Sequence, residues 1–133
     1  MASIYKEVLI EVPAEDLWAA LRDAGNVQRL FRGVVVDARL EGDARTVTFA
    51  AGQVVRERIV AIDDERRRIA YAVVRDGLVH HNASMQVFAD SEGRSQFVWI
   101  SDFLPDELAA SIYPLVEQGA AAIKRTLESQ DAT

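Results

Sequence analysis

The stretch "DELAASIYPLVEQGAAAIKRTLES", residues 106–129, decides how the rest of the chain must be read. Leu108, Ile112, Leu115, Val116, Gly119, Ile123 and Leu127 recur at helical spacing and form one broad apolar stripe. Pro105 precedes it, and Pro114 inside it predicts a kink. The tail from Ser129 is expected to fray. A helix with so wide an apolar face needs a surface to lie on, and the preceding seventy residues supply one. From Val34 to Phe103 the periodicity is that of strands, at roughly 34–40, 45–50, 53–62, 67–74, 80–89 and 95–103. Turn chemistry separates them: "EGD", "AAG", "DDERR", "RDG" and "DSEG". Short connections between successive strands imply an antiparallel meander.

Upstream, Ile4 to Val12 alternates as a further strand, but both of its faces are mixed and its orientation stays open. After Pro13, "AEDLWAALRDA" is a helix with acidic residues in its first turn, ended by Gly25. A second short helix is expected over Asn26 to Phe31 with Asn26 as its cap. Trp18 is expected to serve packing alone. The whole is an α+β arrangement: a seven-stranded curved antiparallel sheet, two short helices after its first strand, and a long C-terminal helix across its concave face. Gly119, Ala120 and Ala122 place almost no side-chain volume on that helix. This fits either a cavity or a close helix-on-sheet contact.

With 133 residues the chain is a single domain, 1–133. The net charge of −6 argues against nucleic acid as a partner, because a groove for phosphates needs a basic face. Arg66, Arg67 and Arg68 follow Asp63, Asp64 and Glu65, so their charges cancel locally. The absence of cysteine excludes disulfides and thiolate sites and suits a reducing cytoplasm. No segment is apolar for long enough to predict stable membrane insertion or a signal peptide.

"VPAEDLWAAL", "RERIVAIDDERRRIAY", "FVWISDFLPDE" and the order of elements resemble the polyketide cyclase/dehydrase and lipid-transport family, within the START superfamily that includes the birch-pollen allergen. The resemblance spans nearly the whole chain and implies a helix-grip fold with an internal pocket for a hydrophobic or amphipathic small molecule. It implies no single reaction. The middle segment is also similar to plant abscisic-acid receptors, which by this match places Glu57, Tyr71 and His81 on the pocket side. The gating motifs of those receptors are missing, so hormone signalling is not implied.

Strand parity identifies the wall. If Met85 faces the core, so do Ala83 and His81, while His80, Asn82 and Ser84 face outward. A bulge at Asn82 would reverse this. By the same parity Glu57 and Ile59 point inward on one strand, and Tyr71 and Val73 on the next. Phe97, Trp99 and Ser101 form the inward row of the last strand. From the helix, Val116, Gly119, Ala120 and Ile123 complete the expected ligand-binding set.

His81, Glu57 and Tyr71 are the candidate catalytic groups; the sequence leaves open whether they catalyse anything. Glu57 is read either as a rim carboxylate paired with an arginine or as a pocket group, and His81 as a core histidine or a functional one. Adjacent His80 and His81 on opposite faces cannot share a metal, so no metal or cofactor is expected. Three functions remain: a carrier of a lipid or polyketide-like compound, a cyclase or dehydratase with His81 as general acid or base, and an interaction module using the outer face. The first is preferred. The chain is expected to act as a monomer or homodimer.

Overall fold

The computed structural model describes residues 2–75 and 78–131. Strand β1 (Ala2–Ile10) leads into helix α1 (Ala14–Arg22) and a 3-10 segment (Ala24–Arg29). There follow β2 (Val35–Glu41), β3 (Ala44–Phe49), β4 (Val54–Asp63), β5 (Arg68–Val74), β6 (His80–Ala89) and β7 (Ser95–Leu104). Helix α2 (Ala109–Asp131) closes the chain. All neighbouring strands are antiparallel, in the order β1-β7-β6-β5-β4-β3-β2. This is a seven-stranded curved sheet with a long C-terminal helix, the helix-grip fold. The chain runs out along β1, crosses to the opposite edge through the two short helices, and meanders back until β7 pairs with β1.

That pairing resolves the orientation of the first strand. Ile4, Lys6 and Val8 lie opposite Ser101, Trp99 and Phe97, so they share the concave side, where Ile4 and Ile10 are buried. Lys6 is kept there by an ion pair of 3.1 Å with Glu117 of α2. Further along, the Lys124 ammonium donates to the Leu9 carbonyl at 2.7 Å and to Glu128 at 2.6 Å, which fastens the helix to the edge strand.

Three expectations are corrected. The segment after α1 starts at Ala24 and is 3-10, not a helix capped by Asn26; the Asn26 amide instead donates to the Asp23 carboxylate at 2.9 and 3.0 Å. The tail expected to fray from Ser129 is helical as far as Asp131, with Pro114 inside the same helix α2. Residues 132 and 133 of the expected tail, with Asp76 and Gly77 of the "RDG" turn, lie outside the described residues. Finally, Trp18 does more than pack. Its indole Nε1 donates to Asp64 at 3.0 Å, and Arg22 Nε donates to the same oxygen at 2.7 Å, so the turn between β4 and β5 is stapled to α1. The Arg22 bond first, and the Trp18 bond second, hold the Asp64 carboxyl below its usual range.

The main core is Ile10, Leu17, Leu21, Ile69, Val87, Phe97 and Ile123 with their neighbours, all buried at the end of the sheet covered by α1 and the C-terminal half of α2. A smaller cluster of Ile4, Phe103 and Val116 sits under the N-terminal half of α2, flanked by partly buried Leu108 and Ile112. The thinner packing at that end leaves room for a hollow.

Candidate functional site

A cavity of about 790 Å³ separates the sheet from α2. Its wall is mainly apolar, with Leu21 and Val27 from the short helices, Phe31 from the segment after them, Ile69, Met85 and Trp99 from the sheet, and Ile112, Leu115 and Val116 from the helix. Val54 and Val74 border it and are well exposed, so it opens between the ends of β4 and β5 and the first turns of α2. At about 24 cal/mol per Å³, a dry hollow of this size would cost more than the roughly 5–15 kcal/mol that holds a domain together. A space of this kind is occupied by solvent or by a ligand.

Register explains which polar groups reach it. Tyr71 lies opposite Ile59 on one side and Ala83 on the other, and Ala83 opposite Ser101, so one row crosses four strands with every side chain on the concave face. No bulge interrupts β6, and the parity of the histidines stands: His81 borders the cavity while His80 is exposed. His80 Nε2 contacts Asn82 Oδ1, and Asn82 reaches Asp102, giving an outer-face polar chain that requires no pocket. The irregularity between Ile59 and Ala61 on β4 falls beyond the site, whereas a second, between Val35 and Asp37 on β2, adjoins the cavity wall at Val35.

Of the residues read into the wall, Glu57, Tyr71, Val73, His81, Met85, Trp99, Ser101, Val116 and Gly119 border the cavity. Ile59, Ala83, Phe97, Ala120 and Ile123 do not. Ile59 packs against the core, and the other four are buried at 2% exposure or less. Alternation gives a side chain's face of the sheet, but not its height along the strand, and these five lie beside or beneath the hollow.

At Gly119 the structure shows the second of the two alternatives left open for the small helix residues, a close helix-on-sheet contact. A Cβ placed there would stand 2.9 Å from Trp99 Cζ3 and 3.5 Å from Phe31 Cδ1. Its missing volume is filled by the indole, so at this point helix and sheet are in close contact and the hollow lies beside them. Trp99 is held by Phe31 and Phe97, with ring centroids 5.8 and 6.2 Å away, and by a hydrogen bond from its Nε1 to Tyr71 Oη at 3.2 Å. Gly119→Ala should gain about 1 kcal/mol in helix propensity and lose about 1–3 kcal/mol to overpacking. A net loss of up to about 2 kcal/mol is expected, with altered Trp99 emission. Thermal melting and fluorescence of the variant check this; an unchanged spectrum would mean that the indole is not wedged.

The arginine pairing that one of the two readings of Glu57 expects is present, but buried and not at the rim. Glu57 is a deep group, and its partner is Arg45 from β3: Nε donates to Glu57 Oε1 at 2.7 Å, and Nη1 to the Ala24 carbonyl at 3.3 Å. The guanidinium also lies over the Tyr71 ring, 5.2 Å from its centroid. Sequence reasoning missed Arg45, although its parity with buried Val47 signals an inward side chain. Burial raises the Glu57 carboxyl above its ordinary range, against the opposing pull of Arg45. Burial likewise raises the Tyr71 phenol far above its usual value, with the Glu57 charge adding to the effect. The His81 imidazole is lowered by burial, then by Arg75 and His80. Its ring stands edge-on to Phe103, with centroids 5.7 Å apart. Glu57 is therefore engaged with Arg45 and not with His81, so the three candidate catalytic groups do not form a hydrogen-bonded relay.

Comparison with known proteins follows the fold. The profile of the family described as polyketide cyclase / dehydrase and lipid transport matches residues 1–129. A search of the curated proteins yields no match. Among solved structures, an uncharacterised protein from Bacillus thuringiensis is similar at 18% identity and TM-score 0.83, over 93% of this chain and 97% of that one. Norcoclaurine synthase from Thalictrum flavum aligns at 17% identity and TM-score 0.72, covering 95% of this chain and 92% of that chain. The di-domain ARO/CYC protein BexL of the BE-7585A biosynthetic pathway gives 14% identity and TM-score 0.82, over 96% of this chain and 47% of that one. Likeness at these identities shows the fold.

Proposed function

We propose that this chain, which belongs to the polyketide cyclase/dehydrase and lipid transport family, binds or carries a hydrophobic or amphipathic small molecule, a lipid or polyketide-like compound, between sheet and α2. The observation that carries this reading is the cavity itself. About 790 Å³ falls within the roughly 300–1,000 Å³ of small-molecule sites, and an apolar wall with few inward polar groups is what such sites use to bind and orient a ligand. A cytoplasmic location is part of the proposal, and no described helix is long and apolar enough to cross a membrane.

Carriage is preferred over catalysis because the inward polar groups are engaged one by one. Glu57 pairs with Arg45, and Tyr71 accepts from Trp99. The second reading, a cyclase or dehydratase, has one observation in its favour: His81 borders the cavity, and burial lowers its imidazole from the ordinary value, which favours the unprotonated form that a general base requires.

Native mass spectrometry of the purified protein and titration with an acyl and polyphenol panel test the proposal. Trp99 is the reporter, read in a Trp18→Phe background. Bound ligands should change its emission and raise the melting temperature, by about 2.7 kcal/mol of added stability at a hundred times Kd. No co-purifying mass and no response across the panel would overturn the reading. Under the carrier reading His81→Ala weakens binding by no more than about 1–3 kcal/mol, and the bound compound is released chemically unchanged; a product that disappears with His81→Ala would favour the enzyme.

A further inference from the structure

The hydrogen bond between Trp99 and Tyr71 fixes what the buried end of the cavity can offer a ligand. An indole N–H donates and never accepts. The 3.2 Å contact therefore uses Tyr71 Oη as the acceptor, and the phenolic proton must be donated elsewhere. Among the described residues nothing takes it. The nearby carboxylate, Glu57, is held by Arg45 through Oε1 and makes no hydrogen bond with Tyr71. Tyr71 and Ser101 both border the cavity, the space where a ligand lies.

Charge at the same end cancels. The Arg45 guanidinium and the Glu57 carboxylate meet at 2.7 Å with side chains 5% and 9% exposed, a closed pair. Lys6 is paired with Glu117. The cations Arg56 and Arg75 border the cavity at its mouth, where they are exposed and screened by water. A buried carboxylate would lose its hydration without gaining a free countercharge. An uncharged carbonyl needs only the donor that Tyr71 has left.

Resting on the pocket reading above, we infer that the ligand is an apolar molecule bearing an uncharged oxygen acceptor, a ketone, aldehyde or ester carbonyl, which docks on the Tyr71 hydroxyl and is selected over the corresponding free acid. The Tyr71–Trp99 bond aims that donor, and Ala83 between Tyr71 and Ser101 keeps the floor low beneath it.

The test uses three ligands of one shape, acetylnaphthalene, isopropylnaphthalene and naphthoate, titrated calorimetrically into the wild-type protein, Tyr71→Phe, and the double variant Tyr71→Phe/Trp99→Phe, which leaves no orphaned indole donor. In the wild type, acetylnaphthalene should bind more tightly than naphthoate. The ratio of acetyl to isopropyl affinity should fall about threefold to tenfold in both variants, the size of one neutral hydrogen bond. Melting curves verify that each variant is folded. Tightest binding of naphthoate overturns the uncharged-acceptor inference, as does an affinity ratio that survives loss of Tyr71, while the pocket reading stands in either case. Failure of all three to bind wild type overturns the pocket reading and this inference with it.

Discussion

Arg45→Met is expected to destabilise the protein by about 3–5 kcal/mol, the range for removing one member of a buried ion pair. Methionine preserves much of the aliphatic stem and removes the guanidinium with its contacts to Glu57 and the Tyr71 ring, so the loss measures charge more than volume. The variant leaves Glu57 with neither solvent nor countercharge, since its side chain is 9% exposed and Arg45 is its partner.

The pH dependence has a definite sign. Burial already raises the folded-state pKa of Glu57 above the ordinary 4.5, and losing Arg45 raises it further. A carboxyl with a raised folded pKa adds stability that is fully present below its unfolded pKa and lost as pH rises through the folded value. The deficit of Arg45→Met should therefore be smallest near the ordinary 4.5 and grow as pH rises above it. Urea unfolding at about pH 5 and about pH 8 reads this directly. Arg45→Met/Glu57→Leu should recover most of the loss, because replacing a whole buried pair by apolar groups is often neutral or stabilising. A single variant within about 1 kcal/mol of the parent would mean that water reaches the pair and solvates it.

Ile123→Ala should cost about 2–5 kcal/mol, whereas Ile112→Ala should cost much less. Both belong to the apolar stripe of α2, and sequence alone treats them alike. Ile123 is fully buried within the main core, where removed methyl groups leave an unfilled void. Ile112 is only partly buried and borders the cavity, so truncation enlarges a space that already exists. Its effect should appear instead in ligand size preference. Chemical denaturation of both variants, with the ligand panel on Ile112→Ala, checks the pair; equal losses would mean that α2 packs uniformly along its length.

Ile123 and Ile112 also show what was legible beforehand. Periodicity is a local property, written into a few consecutive residues. It located seven strands and the long helix to within a residue or two at most ends, and it set Tyr71, His81 and Trp99 on the concave face. The parity of His80 and His81 followed from the same two-residue repeat, since no bulge breaks β6. The 3-10 segment was misread: it packs on β2 and accepts a hydrogen bond from Arg45 at the Ala24 carbonyl, long-range contacts that local propensity does not record.

The sequence by itself determined the order of elements, the meander and the inward row of side chains, because alternation and helical spacing are fixed by backbone geometry over a few residues. Tertiary structure alone decided that β1 closes against β7, that Arg45 neutralises Glu57 across the β3–β4 pair, and that the gap at Gly119 is taken by Trp99. Each of these depends on how far a side chain reaches and what it meets after the sheet has curved. The cavity is of the same kind: its volume is what remains when a long helix rests on a curved sheet at one well-packed end and at one indole, and no residue encodes that difference alone.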